Sequence, residues 1–371
     1  MDNVNNNEII IWHEMDGSAD TSLKMIEEVS ELFSKKTGIT FKLVSMNINK
    51  FIENLNKISE TGDAPHIAFI PQDMVTMDLA KLSEVPIEAK NKNISSELWD
   101  TMKFRNIQRG VPFLRGNHAV MYYNKEIFDS APKTWEDIIE NKAELHNKGI
   151  IPISIDLKVS YYVMSFVCTF GEFPIVKGKT SLKNAGMVKA LEFLKLLEKE
   201  NILVSLSAID AMLDKFTAGE IGAIVNGEWI FNYLYSKLKD KLGVCRIPCS
   251  NGKPTIGLTT TIGMVFPNNS LESEYRNVLI DYAKYMTDID CQRQWFHNHR
   301  RLPINQQVFD EIKDSTDNNW KEIMYQMELN NFVENDEGLE NMWKAMDLGL
   351  NFLANSNNID EAIKVMQTHI K

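Results

Sequence analysis

The run Ile9-Ile10-Ile11-Trp12 is apolar without interruption. A strand that lacks polar alternation must be covered on both faces, the situation of a sheet sandwiched between helices. After a polar loop, His13 to Asp20, the residues Leu23, Ile26, Val29, Leu32 and Phe33 fall on one helical face, and Gly38 ends that helix. Ile39, Phe41 and Leu43 then alternate as a strand. A second helical stretch stops at the turn cluster Thr61-Gly62-Asp63-Ala64-Pro65, and His66–Ile70 supplies a third strand. Strands alternating with helices imply a mostly parallel sheet, whose ligands bind beyond the carboxyl ends of the strands. The loops 13–20 and 71–74 occupy such ends.

The same α/β alternation continues. Val111-Pro112 and Ala119–Tyr123 read as strands, and Thr134 with Asp137 forms a capping box that starts a helix after Pro132. Ile151–Ile155 is a strand, Tyr161–Phe170 an apolar helix and Met187–Lys199 an amphipathic one. Ser207 caps a helix that ends at Gly219. Thr259–Phe266 is a strand, Tyr275–Met286 a helix, and Ile359–Ile370 an amphipathic closing helix. At 371 residues the chain suits about two domains of 100–200 residues. With no repeat, low-complexity tract or long linker, the two α/β lobes are intimately connected.

Charge and composition exclude several classes. A formal net charge of −11 repels nucleic acid and favours a neutral or weakly charged partner. No apolar run approaches the roughly 18 residues of a spanning helix. The start, "MDNVNNNEIIIWHE", lacks the basic and apolar regions of a leader; the chain is cytosolic, or a leader was removed and a Met supplied. Cys168, Cys245, Cys249 and Cys291 do not make a disulfide framework at this length. In an extended segment Cys245 and Cys249 stand about 13 Å apart, so bridging them needs a sharp turn near Pro248. Free thiols favour a reducing compartment.

Catalytic signatures are scarce. The chain has no G-x-S-x-G elbow, phosphate loop, H-E-x-x-H or G-x-G-x-x-G. His297-Asn298-His299 beside Arg300 and Arg301 lacks further ligands at metal spacing and reads as a solvated helix end. No cofactor or metal is expected. Asp16 and Asp73 form a conceivable acid/base pair, although buried hydrogen-bond acceptors fit them equally.

Aromatic and carboxylate residues recur instead at strand ends and helix starts. In "FTAGEIGAIVNGEWIF", residues 216–231, a β-branched strand breaks at Asn226-Gly227 and Trp229 heads a helical pattern. Sugars present a hydroxyl rim and a flat C–H face, so their sites combine acceptors with an aromatic platform. Trp229 fits that platform, or else plugs the core beneath the turn. Tyr161 and Trp343 carry the same two readings; Trp12 reads as core and Trp135 as packing beside its helix cap.

That stretch resembles the F-x-x-G-x-x-A-x-x-x-N-G-x-W segment of bacterial extracellular solute-binding proteins of the maltose-binding type. "IIIWHEMDG", "LFSKKTGITFKLV", "TGDAPHIAFIPQDM", "VPFLRGNHAVMYYNKEIFDSAPKTWEDI", "RRLPIN" and "NIDEAIKVMQTHI" follow in the family's order, so the resemblance covers essentially the whole chain. It implies a two-lobe periplasmic-binding-protein fold. One lobe would span 1–113 plus 262–312 and the other 118–257 plus 317–371, with hinge segments at 114–117, 258–261 and 313–316. The solute would be gripped between the lobes, and closure would present it to the membrane permease of an ABC transporter. The resemblance further implies a monomeric, extracytoplasmic protein, periplasmic or lipid-anchored, with no enzymatic activity.

By the same resemblance Asp16 and Asp73 match carboxylates that accept sugar hydroxyls, and Glu14 falls on a polar position of the cleft. Tyr161 and Trp229 match aromatic platforms, and Trp343 a third aromatic position beside Met342. Gly17, Ile70, Met74, Val159 and Gly116 or Asn117 stand where the family carries basic, aromatic or acidic groups. Each charge-assisted hydrogen bond lost is worth about 1.5–3 kcal/mol, which argues against maltose itself and for another sugar or polyol. Arg115 and His13 become further candidates for ligand contact, against a reading as hinge and loop solvation. A polyamine receptor, a degenerate sensor or interaction module, and a glycoside-processing enzyme using Asp16 or Asp73 are the competing functions.

Overall fold

Ile9 and Ile11 of the strand Glu8–His13 pack in one apolar cluster with Ile67 and Phe69, while Trp12 packs against a second cluster containing Ala68 and Ile70. The sheet is therefore covered on both faces, as its unbroken apolar strands require. The computed structural model describes residues 8–15, 19–76, 81–176, 179–249, 252–314 and 317–370. The chain divides into two units, 1–117 with 260–314 and 333–335, and 118–259 with 315–332 and 336–371.

The first unit is built on a five-stranded sheet ordered Thr40–Ser45, Glu8–His13, Ile67–Pro71, Ile262–Val265, Gly110–Leu114. The first three strands run parallel, and Ile262–Val265 is antiparallel to both its neighbours. The helix Ser22–Thr37 buries Met25, Ile26, Val29 and Phe33 and ends at Gly38, whose φ of 75° is the left-handed conformation that glycine adopts without strain. Leu32, expected on the buried face, is exposed, and Met25 takes its place in the core. Phe33 meets Tyr282 edge-on at 5.3 Å. Residues 333–335 join this unit, where the expected division put all of 317–371 in the other. Hydrogen bonds explain it: the Gln72 amide donates to the Val333 carbonyl, and the Asn335 amide to Thr101 and Lys103 carbonyls at 2.6 and 2.8 Å.

The second unit repeats the plan with the order Leu203–Val204, Ile151–Ser154, Ile221–Gly227, Ala119–Asn124, Leu242–Cys245. Ile151–Ser154 is parallel to Leu203–Val204 and to Ile221–Gly227, and Ala119–Asn124 is antiparallel to both neighbours. All residues of Ile221–Gly227 are buried. The capping box forms as read: the Asp137 backbone N–H donates to Thr134 Oγ1 at 3.1 Å, and the Asp137 carboxylate accepts from the Thr134 N–H at 2.9 Å. Trp135 is buried against Phe166 and Phe193.

Two local readings are corrected. Ser207 does not cap the helix Ile209–Thr217; Ala208 holds the cap position and no side chain bonds there. His297 is exposed at its helix end, but His299 is buried, with Nε2 2.9 Å from Glu28 of the first helix. All four cysteines are free. Among the described residues no helix is long and apolar enough to cross a membrane, and no group of three or more His, Cys, Asp or Glu side chains could hold a metal ion.

Candidate functional site

Parallel strands deliver their carboxyl ends to one edge of a sheet, and each unit places expected ligand residues there. In the first unit, Glu8–His13 and Ile67–Pro71 are adjacent and parallel, with Trp12 opposite Ala68. Glu14 follows the first strand and is half-buried. Asp73 follows the second in a 3-10 turn, Gln72–Thr76, also half-buried. The turn is held by Gln72, which is 2% exposed: its backbone N–H donates to the Thr261 carbonyl at 2.8 Å, and its side-chain oxygen accepts from the Thr261 N–H at 3.3 Å. Asp16 lies outside the described residues.

His13 and Arg115 are not solvated loop or hinge groups. The His13 side chain is completely buried. Arg115 is 7% exposed; one guanidinium nitrogen donates to the Ile304 carbonyl at 3.2 Å and to Gln306 Oε1 at 3.1 Å. Its guanidinium carbon stands 4.0 Å from the centre of the Phe309 ring. Burial lowers its pKa to about 10, against the pull of Asp310 and Glu97, so it remains charged at neutral pH.

In the second unit Ile151–Ser154 and Ile221–Gly227 are the adjacent parallel pair, with Ser154 opposite Ile224. Tyr161 comes after the first strand, in the opening turn of the helix Ser160–Phe170; Trp229 comes directly after the second, in a 3-10 turn, Glu228–Ile230. Both rings are half-buried, with centroids 6.4 Å apart and planes tilted by 48°. Trp229 is neither buried plug nor free surface, but one wall of an aromatic corner.

A carboxylate that sequence reading missed fixes the other wall. The helix Ser160–Phe170 has Val159 at its cap position and no cap of its own. Asp347, from the helix Leu339–Ser356, accepts the Ser160 N–H at 3.1 Å and so caps it from a distance. Burial raises the Asp347 pKa, the bonds from Ser160 oppose the rise, and Asp156 adds to it. Trp343 lies one turn before Asp347, on the same helix face. It is half-buried. No local pattern could have revealed Asp347, which is 187 residues from its partner.

The family described as bacterial extracellular solute-binding protein matches residues 28–322. The chain is 23% identical over 282 residues to the maltodextrin-binding protein MdxE of Bacillus subtilis, covering 71% of this chain and 67% of that one. It is 23% identical over 300 residues to a maltooligosaccharide ABC transporter solute-binding lipoprotein of Streptococcus pneumoniae (76% and 69%). A probable amino-acid ABC transporter periplasmic-binding protein of Sinorhizobium fredii is also 23% identical, over 202 residues (48% and 46%). With the family pattern spanning most of its length and its two α/β units in place, this chain belongs to the bacterial extracellular solute-binding protein family.

Proposed function

We propose that the protein is a non-enzymatic receptor that binds a sugar or oligosaccharide and delivers it to the permease of an ABC transporter. The observation that carries this reading is the Tyr161–Trp229 corner at the carboxyl ends of adjacent parallel strands. Apolar rings supply contact area for the C–H face of a sugar at small entropic cost. Glu14, Asp73 and Asp16 would accept its hydroxyls, and Trp343 would extend the aromatic surface. Arg115 and His13 are assigned structural roles, because both are buried within the first unit. The protein would act outside the cytoplasm as a monomer and without a cofactor. Groups from both units would grip the solute, so that differential affinity for a closed state drives hinge closure.

Thermal unfolding against a panel of mono-, di- and oligosaccharides tests this. A sugar at about 100 times its dissociation constant stabilises by roughly 2.7 kcal/mol. The panel includes spermidine and amino acids, because the Sinorhizobium relative is named for amino-acid transport. Stabilisation by one of these and by no sugar would replace the carbohydrate reading with that solute class. Release of a hydrolysed product would replace it with an enzyme.

A further inference from the structure

Gly227 has φ −68° and ψ 153°, a conformation open to any residue, so its backbone does not require glycine. Its surroundings do. A Cβ built on Gly227 would lie 2.2 Å from each of three consecutive atoms of the Trp229 six-membered ring, Cζ2, Cη2 and Cζ3. Equal distances to three consecutive atoms of a hexagon place that Cβ on the ring axis. One face of the indole therefore lies flat against the Gly227 Cα, two residues back along its own chain.

The peptide groups on either side of that Cα are themselves fixed. The Gly227 N–H donates to Asn226 Oδ1 at 2.7 Å, which also accepts from the Tyr162 hydroxyl at 3.1 Å. The Gly227 carbonyl accepts from the Tyr122 hydroxyl at 2.9 Å. Asn226 and Tyr122 are fully buried and Tyr162 is 8% exposed. A rigid backbone shelf thus supports one face of a half-buried indole.

We infer that Gly227, latched by Asn226 and Tyr122, is a positioning residue that sets the orientation of Trp229 and makes it a one-sided platform for a solute with a single flat C–H face. This rests on the reading of Trp229 as the solute platform, and its test separates the two. The nearest atoms to the new methyl in Gly227→Ala all belong to the indole, so the ring moves rather than the strand. Near-ultraviolet circular dichroism of the free protein is the ligand-independent readout. Gly227→Ala should lose the band that Trp229→Ala loses, with far-ultraviolet spectrum retained. Tyr122→Phe, which removes only the hydroxyl, should weaken that band.

Where the wild type binds maltotriose, Gly227→Ala should reduce affinity at least tenfold, and adding it to Trp229→Ala should cause no further loss. A retained band, or a further tenfold loss in the double variant, overturns the inference. If Gly227→Ala fails to fold, recovery of folding in the double variant supports it. Failure of both variants to fold assigns the glycine to the strand and overturns it. Silence toward maltotriose leaves the spectroscopic comparison to decide.

Discussion

Replacing Arg115 separates a structural cation from a ligand contact. Burial brings its pKa from 12.5 to about 10, which, at about 1.4 kcal/mol per tenfold change, sets the charging penalty near 3 kcal/mol. Against that stand two hydrogen bonds of a charged donor, about 1.5–3 kcal/mol each, and a desolvated contact with the Phe309 ring worth up to about 2 kcal/mol. The balance is favourable by a few kcal/mol. Arg115→Ala forfeits it and leaves a void, so it should destabilise by about 2–4 kcal/mol. Arg115→Met gives up the bonds but also the charging penalty, and its thioether can rest on Phe309; it should stay within about 1.5 kcal/mol of wild type. Urea denaturation of the three proteins measures both values, and titration calorimetry with the stabilising sugar follows binding. Folded Arg115→Met should bind within threefold of wild type. A tenfold loss of affinity at unchanged stability would instead return Arg115 to the ligand.

His66 accepts the Ile10 N–H on Nδ1 at 2.9 Å and must be neutral to do so. Burial lowers its pKa from 6.5, opposed by Glu8. A depressed histidine gives stability that is complete above about pH 6.5 and lost as pH falls through the folded-state value. His66→Asn keeps an acceptor at the same place, so urea denaturation from pH 7.5 to 5 should show a shallower dependence; identical slopes would discount His66. At Asp347, Ala should cost about 0.5–2 kcal/mol by removing the cap of the Tyr161 helix. Asn keeps the acceptor. Because burial raises this carboxyl, its stabilising contribution is present at low pH and lost as pH rises through the folded-state value. Asp347→Asn at neutral pH should therefore match or exceed wild-type stability, and a loss as large as that of Ala would contradict the argument.

Much of the architecture was legible because it is local. Unbroken apolar runs such as Ile9–Trp12, the Thr134–Asp137 capping box and the glycine stop at Gly38 each specify an element through a few neighbouring residues. Other readings failed. Ser207 had a capping side chain, yet the helix starts one residue beyond Ala208 without one. His299 looked like a solvated helix end and is instead buried against Glu28, 271 residues away in the chain. The candidate site was half legible. Tyr161 and Trp229 stood out as aromatics at strand ends, but their approach to 6.4 Å depends on pairing between Ile151–Ser154 and Ile221–Gly227. The Asn226-Gly227 pair marked a chain break in the sequence, whereas its fully buried hydrogen bonds make it the support beneath Trp229.

On the proposed function, a bound sugar rests in the Tyr161–Trp229 corner. A fluorescence titration with maltooligosaccharides and the other sugars of the panel, on wild type and Trp229→Ala at equal folded fraction, tests that placement. Saturable quenching or enhancement in the wild type, with at least tenfold weaker binding in the variant by calorimetry, is the predicted result. Equal affinity in the two proteins would contradict it.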